Sequence, residues 1–532
     1  MTLSRRELFK VGLAAGAAIS MPSVLRAQTS VAAGKTVRMA LENLSNFDPV
    51  STTAGITQIH ALAIYDTLFS VDSKSQPQPQ MVGKWGVSDD KKTYTFELRD
   101  GLGWHDGTPV TAADCVASIR RWAPVGVGGQ ILLSHVTDIS KKDERTFVIA
   151  LKEPLGALPS ILAFDGPFMM REKDASRPPS EQVTANIGSG PFKFNQTLAK
   201  PGASFTYDRN ENYVPRKETP DGLAGGKAVY IERAIWDIGV LADPQTSVAA
   251  LQTGEIDFLY RPPIDLLPVI ASDENLQLQV LNTAGVDMLL RMNCLQKPFD
   301  NVKARQALLH LVDQEAVARA AYGNPEYYKT VTSIFGNTGA VSNDENTSWF
   351  KPGGNPEKAK QLFAEAGYAG EKIVILQATD WAEQSNASQV VAAKLREIGI
   401  NAELAPSDWA GLVARRSKKV SVEDGGWSIF ITDTGEPGRA NVFSDISLAM
   451  NGEAAWYGWP KNEEYEALRV KWLSLETLDE RKALARQMQK LWWDYVPEVL
   501  LGQNVVPSAF RKSLTGLVEA TLPVMWNMRK VS

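Results

Sequence analysis

The chain has few of the residues that usually bind metal ions or form crosslinks. Its 532 residues include only two cysteines, Cys115 and Cys294, and four histidines, none three or four positions from another. This scarcity argues against a disulfide framework and against a dedicated zinc or copper site. Both cysteines are expected to be small buried hydrophobes, with one bond between them as the alternative. We expect neither a metal ion nor a cofactor.

Long apolar runs and a surplus of positive charge are also missing. No stretch reaches the roughly 20 apolar residues that a membrane-spanning helix needs, so the mature protein is expected to be soluble. The chain has 56 Lys and Arg against 61 Asp and Glu, which argues against a nucleic-acid partner. No Gly-x-Ser-x-Gly elbow, phosphate-binding loop or paired carboxylates stand out, so we expect no enzyme.

The first 27 residues resemble an export signal of the twin-arginine type. Ser4–Lys10 contains the paired arginines, Val11–Ile19 is mildly apolar, and Leu25–Ala27 ends at a plausible cleavage site before Gln28. A cytosolic amphipathic helix is the alternative. Because no cysteine lies in this segment, we expect a periplasmic protein without a lipid anchor.

The remaining length is too great for one hydrophobic core, so at least two lobes are expected. Strand and helix patterns alternate, which predicts an α/β fold. Predicted strands include Thr36–Glu42, Thr93–Leu98, Ile373–Leu376, Asn401–Leu404 and Val499–Val506.

Helix starts are indicated by capping residues. Thr111 with Asp114 and Thr477 with Glu480 are capping patterns. Three further helices are expected to begin at Asp300, Asp313 and Asn355.

Five blocks share an order and pattern that is specific and spans most of the chain. They are Lys84–Gly101 with Trp104–Asp114, Gly188–Phe194, Ala250–Asp257, Asn293–Asp313 and Lys358–Tyr368. In these blocks the chain resembles the peptide/nickel-type solute-binding proteins of ABC importers, called family 5. His105-Asp106 lies in the first block, where it is expected to form a turn and not a catalytic pair.

The resemblance implies a bilobal periplasmic-binding-protein fold of type II, in its large cluster C-like form. Lobe I is expected over 35–285 with a return at 501–532, and lobe II over 286–500. Val280–Asn293 and Val499–Val506 are the expected hinge-crossing segments. The implied partners are a small-molecule ligand, an ABC permease and its ATPase subunits, and the protein is expected to be a monomer.

Candidate ligand contacts combine aromatic walls with acidic anchors, as a closing cleft requires. They are Phe47, Asp48, Trp381, Asp408, Trp409, Trp427, Phe430 and Asp433. Asp408-Trp409 resembles a recurrent family pair after a strand of lobe II. A tryptophan, however, is more often a core residue than a ligand contact.

Two departures from the family pattern bear on the ligand. Peptide-binding relatives carry W-x-x-D-x-x-D-P, whose first aspartate pairs with the ligand α-ammonium; here Phe430 replaces the tryptophan and Glu436 the second aspartate. Asp433 remains as a cation anchor or as a turn residue. Dipeptide-binding relatives also place an arginine in the loop at 377–381, where this chain has none.

These features predict a receptor that closes around a peptide or peptide-like molecule other than a simple dipeptide. An oligosaccharide, an opine or a metal chelate is the alternative ligand. A periplasmic chaperone or a sensor-linked binding protein is the alternative function.

Overall fold

Lobe I is built on a seven-stranded mixed sheet. A computed structural model describes residues 35–531 except 53, 165, 380, 441 and 444, so the expected export signal lies outside the described residues. In β1 (Thr36–Ala40), Val37 and Met39 are buried on either side of the less buried Arg38, which confirms the predicted strand. The strands, in sheet order, are β12 (Leu276–Gln279), β19 (Ser508–Arg511), β11 (Phe258–Leu259), β1 (Thr36–Ala40), β10 (Arg233–Asp237), β9 (Ser204–Arg209) and β8 (Phe192–Phe194).

An antiparallel four-stranded sheet follows β1 in the chain. In β5 (Thr93–Leu98), Tyr94, Phe96 and Leu98 are buried and alternate with less buried neighbours, which confirms the predicted strand. The order is β4 (Val82–Val87), β5 (Thr93–Leu98), β7 (Thr146–Leu151) and β6 (Val136–Lys141). Two small pairs complete this half: β2 (Phe69–Val71) with β3 (Pro77–Pro79), and β20 (Leu514–Thr515) with β21 (Arg529–Lys530).

Lobe II is built on a six-stranded sheet. The predicted strands at 373–376 and 401–404 are β15 (Ile373–Ala378) and β16 (Ala402–Ser407), and a helix between them completes a strand–helix–strand unit. β15 runs parallel to both β16 and β17 (Ile429–Gly435). The order is β14 (Tyr328–Lys329), β18 (Glu498–Asn504), β13 (Val286–Met292), β17 (Ile429–Gly435), β15 (Ile373–Ala378) and β16 (Ala402–Ser407).

Helices cover the sheets, and four of the five predicted caps, at Thr111, Asp313, Asn355 and Thr477, lie where a helix begins. Asp313, Asn355 and Thr477 each accept a hydrogen bond from an amide of the first turn. The prediction for Asp300 was wrong by one residue, because the Asn301 carboxamide is the cap. The helices are α1 (Gly55–Ile64), α2 (Ala112–Trp122), α3 (Val127–His135), α4 (Leu158–Ala163), α5 (Glu172–Ala175), α6 (Pro244–Thr253), α7 (Leu267–Ala271), α8 (Val302–Leu311), α9 (Gln314–Tyr322), α10 (Pro356–Glu365), α11 (Ala382–Glu397), α12 (Trp409–Arg416), α13 (Glu436–Arg439), α14 (Glu463–Trp472) and α15 (Leu478–Tyr495).

The chain passes between the two large sheets in two short connections. β12 ends at Gln279 and β13 begins at Val286, while β18 ends at Asn504 and β19 begins at Ser508. The predicted crossing segments were therefore too long, because β13 and β18 belong to the lobe II sheet along their whole length. Gly285 has φ +81°, and a Cβ there would lie 2.7 Å from the Asn504 carbonyl oxygen, so the two connections run side by side. The lobe boundaries at 285 and 500 stay a prediction.

The two halves also touch away from these connections, beside the four-stranded sheet. The Ala157 amide donates to the Leu473 carbonyl at 3.2 Å, and the Arg481 guanidinium donates to the Gly156 carbonyl at 3.4 Å. A Cβ on Gly156 would lie 2.7 Å from the Leu475 carbonyl oxygen. We call residues 155–158 and 473–475 the distal contact.

Both cysteines are free thiols, with Cys115 buried and Cys294 partly so, and the alternative of a bond between them is not realised. Burial raises the pKa of the Cys115 thiol above its ordinary value. Within residues 35–531, less the five gaps, no helix is long and apolar enough to cross a membrane.

Candidate ligand-binding site between the lobes

A cavity of about 680 Å³ lies between the lobes and is bounded by both connections. Its walls therefore come from parts of the chain that would separate if the lobes moved apart. The principal lining residues are Glu42, Tyr260 and Arg261 from lobe I; Tyr322, Trp381, Glu383, Gln384 and Asp433 from lobe II; and Leu281, Asn282, Val505 and Val506 from the connections.

Asp433 is a partly buried acid that lines this cavity. It lies near the end of β17, opposite Met288 of β13. The Gln384 side-chain amide donates to its Oδ2 at 2.6 Å, whereas Oδ1 is buried and has no hydrogen-bond partner among the described residues. Burial, followed by the nearby charge of Glu383, raises the pKa of Asp433 to about 7, against smaller opposing effects of Arg261 and Gln384.

The Gln384 carboxamide oxygen is the second buried acceptor without a partner here. Leaving a buried acceptor unpaired costs roughly 1–3 kcal/mol. Two such acceptors on residues that line one cavity favour an occupant that donates hydrogen bonds, and the carboxylate favours a cationic donor.

The end of β17 is held in place by a buried network around Glu436. Its carboxylate accepts hydrogen bonds from the amides of Asn337 and Gly339 at 2.8 and 3.1 Å, and also from Gln503. Gln503 in turn donates to Asp287 at 2.9 Å. Glu436 therefore ties β17 to the neighbouring loop, three residues beyond Asp433, and does not line the cavity.

Trp381 forms an aromatic wall with Trp409 behind it. The two rings are stacked, with centroids 4.5 Å apart and planes 12° apart. Trp381 lines the cavity and is 40% exposed. Asp408 caps α12 by accepting from the Gly411 amide at 2.8 Å, so its carboxylate serves the helix.

Trp427 and Phe430 do not reach the cavity. Both are fully buried in lobe II and pack edge to face at 5.1 Å. The expectation that they contact a ligand is corrected, because the lobe's own apolar residues cover both rings.

Phe47 and Asp48 also have structural roles, which corrects a second expectation. The Asp48 carboxylate is buried against the Arg121 guanidinium at 2.6 Å and accepts the Val183 amide at 2.9 Å. Phe47 packs edge to face on His60 at 5.2 Å. The buried ion pair fixes this loop to α2.

The residues after Asp48 contribute to a second cavity, of about 840 Å³, which also includes Phe443 of lobe II. No charged residue is among the described residues that line it. Because a charged group fixes the orientation of a ligand more strongly than neutral polar groups do, the cavity around Asp433 is the better candidate site.

His105 and Asp106 fasten their turn to neighbouring segments, as the turn interpretation predicts. The Gly188 amide donates to His105 Nδ1 at 3.1 Å, and Asp106 pairs with Arg171 at 2.8 Å. In the described part of the chain, no group of three or more His, Cys, Asp and Glu residues is placed to hold a metal ion.

Sequence reasoning missed Arg261, Glu383 and Gln384. The signal for the last two was their position directly after β15, since ligands of open α/β sheets bind beyond the carboxyl ends of parallel strands. Arg261 lies in a lobe I loop after β11 and had no local signal.

A family model for bacterial extracellular solute-binding proteins, family 5, matches residues 76–445, more than half of the chain. The chain belongs to this family. Family 5 proteins are the substrate-binding components of ABC transporters, which confirms the predicted receptor class and the absence of an enzymatic role.

Two relatives and one solved structure illustrate the similarity. The probable peptide ABC transporter periplasmic-binding protein y4tO of Sinorhizobium fredii is 84% identical over 530 residues, 100% of both chains. The glutathione-binding protein GsiB of Escherichia coli K12 is 25% identical over 96% of both chains. The structure of AgaA from A. tumefaciens R10 in complex with agropinic acid has a TM-score of 0.75 at 23% identity, covering 93% of this chain and 99% of AgaA. This structural match confirms the bilobal fold.

The raised pKa of Asp433 makes a prediction for the ligand-free protein. Because the folded-state pKa lies above the ordinary 3.8, the contribution of Asp433 to stability is lost as pH rises through about 7. Asp433→Asn carries no such charge. When the pH is raised from 5.5 to 8, the free energy of unfolding of the variant should therefore increase by about 1–3 kcal/mol relative to that of the wild type.

Calorimetric unfolding of both proteins at the two pH values measures this difference. Glu397→Gln, which removes an exposed acid at the other end of α11, is the control and should show no pH-dependent gain. An Asp433→Asn variant that loses stability at pH 8 would contradict the account.

Proposed function

We propose that this family 5 protein captures a peptide or peptide-like molecule through an ammonium group that pairs with Asp433. The observation that carries the proposal is the buried, unpartnered Oδ1 of Asp433, a residue that lines a cavity between the lobes. A buried carboxylate without a counter-charge is costly, and an ammonium donor would offset that cost only when bound.

The names of relatives support this ligand class. The 84% identical relative is described as a probable peptide-binding protein, and the more distant GsiB as glutathione-binding. AgaA, which is described with agropinic acid, keeps an opine as the second candidate. The exposed ring of Trp381 also suits an apolar ligand group.

A simple dipeptide remains disfavoured. No arginine is present at 377–381, and the one guanidinium among the described lining residues is that of Arg261. Arg261 pairs loosely with Glu42 at 3.7 Å, and both side chains are largely exposed. It offers a ligand carboxylate an exposed partner and not a buried bidentate one.

Hinge closure is the proposed mechanism. A ligand that contacts both lobes stabilises the closed arrangement by its differential affinity for it. The connections at 280–285 and 505–507 would bend, and the distal contact would form on closure. The permease of the importer would then distinguish closed from open protein.

We propose further that the protein is exported by the twin-arginine route and that residues 1–27 are removed. We also propose that it carries no lipid anchor and is a monomer. The order of charged, apolar and small residues before Gln28 supports the export signal. The lobe division at 285 and 500 is proposed with it.

Peptide binding should depend on pH through Asp433. A bound ammonium favours the ionised carboxylate, whereas the free protein binds a proton there below about pH 7. Affinity for trialanine should therefore fall about tenfold for each pH unit below 7. Titration calorimetry from pH 5 to 8.5 measures this affinity. In Asp433→Asn the affinity should be roughly 100-fold lower than in the wild type above pH 7 and should not depend on pH.

Dipeptides and N-acetylated trialanine serve as controls for this titration. We expect the acetylated peptide, which lacks the ammonium, to bind at least tenfold more weakly than trialanine. Equal affinity for trialanine and its acetylated form would contradict the pairing of an ammonium with Asp433. Tight binding of dipeptides alone would contradict the proposed class of ligand.

Disturbing the distal contact should weaken binding without touching the ligand. In Gly156→Ala the new Cβ meets the Leu475 carbonyl, so closure costs more and affinity should fall roughly tenfold. Small-angle scattering should also show a larger radius for the peptide-bound variant than for the peptide-bound wild type. Gly86→Ala is the matched control, since a Cβ there has nothing within 4 Å. A Gly156→Ala variant with wild-type affinity and radius would contradict closure through this contact.

Export should require the paired arginines. Replacing Arg5 and Arg6 by lysine should leave full-length precursor in the cytoplasm, as followed by cell fractionation and mass determination. Unimpaired appearance of a mature chain starting near Gln28 would overturn the proposed route.

A further inference from the structure

The charges that line the cavity around Asp433 do not balance. Its charged lining residues, among those described, are Glu42, Arg261, Glu383 and Asp433. Glu42 and Arg261 pair with each other. Two acids of lobe II, Glu383 and Asp433, are left without a basic partner among the described residues.

Glu383 and Asp433 act on each other electrostatically. The charge of Glu383 is the second largest cause of the raised pKa of Asp433, after burial. Two carboxylates that share a cavity repel each other unless a cation lies between or beside them. Gln384, the neighbour of Glu383, already contacts Asp433 at 2.6 Å, so both acids belong to one wall.

Helix stability gives only part of the reason for an acid at position 383. Glu383 lies in the first turn of α11, where a carboxylate interacts favourably with the helix dipole. That benefit does not require the side chain to line a cavity that already holds a buried acid. A carboxylate directed at solvent would stabilise the helix equally and would leave Asp433 unaffected.

We propose that Glu383 is a specificity-determining residue that, together with Asp433, selects peptides carrying a second cationic group. This inference rests on the proposed function. The N-terminal ammonium pairs with Asp433, and a lysine or arginine side chain pairs with Glu383. An acidic peptide side chain at the same place meets a like charge and is rejected, so attraction and repulsion both contribute to selectivity.

Three tripeptides that differ only in the central residue test the proposal: Ala-Lys-Ala, Ala-Ala-Ala and Ala-Glu-Ala. At pH 8 and low salt, Ala-Lys-Ala should bind at least tenfold more tightly than Ala-Ala-Ala, and Ala-Glu-Ala at least tenfold more weakly. Both differences should shrink in 0.5 M salt, because the charges that line an open cavity are screened.

Glu383→Gln should bring the affinities for Ala-Lys-Ala and Ala-Ala-Ala to within about threefold of each other. Glu383→Asp should keep the order, and Glu397→Gln, which removes a charge from the opposite end of α11, should leave all three affinities unchanged. Glu383→Gln should also lower the pKa of Asp433 in the ligand-free protein, as followed by NMR titration of its carboxyl carbon.

The outcomes separate this inference from the proposed function. Binding of all three peptides with similar affinity, or a lysine preference that survives in Glu383→Gln, overturns the role of Glu383 and leaves the receptor for peptides intact. Absence of binding by any of the three to the wild type overturns both. A preference for lysine that disappears only in Glu383→Gln supports the proposal.

Discussion

The placement of one carboxylate out of water, with an oxygen left unpaired, is the constraint on which the rest of the site depends. Folding tolerates the free-energy cost of the unpaired oxygen at Asp433 because the end of β17 is fixed on both sides. Gln384 holds Oδ2 of Asp433, and Glu436, three residues after Asp433, accepts the Asn337 amide. A less rigid strand would let the side chain turn toward solvent. A ligand that supplies the missing cation therefore relieves the destabilisation at this position, and this gain favours binding.

The fold places this carboxylate where a ligand can couple the two lobes. β15, β16 and β17 run parallel, and their carboxyl ends bring Trp381, Trp409 and Asp433 to one edge of the lobe II sheet. The two connections pass the same edge, and lobe I faces it across the cavity. In the proposed mechanism, a ligand bound at this edge changes the separation of the lobes because it touches both of them.

Local patterns in the sequence predicted the elements well, since caps and strand alternation are decided by neighbouring residues. Thr477 and β5 are examples. The site was harder to predict. A sequence does not distinguish an aspartate that meets an arginine 73 positions away, as Asp48 does, or one that caps a helix, as Asp408 does, from one that faces a cavity. That difference is set by tertiary packing, which the family motif indicated only for Asp433.

A crystal structure of the protein with the peptide that it binds most tightly is the most direct test of the account. We predict a ligand nitrogen within hydrogen-bond distance of Asp433 Oδ1, with Trp381 and Arg261 both in contact with the same molecule across closed lobes. A ligand seated in the other cavity, with Asp433 Oδ1 still unpaired, would contradict the central claim.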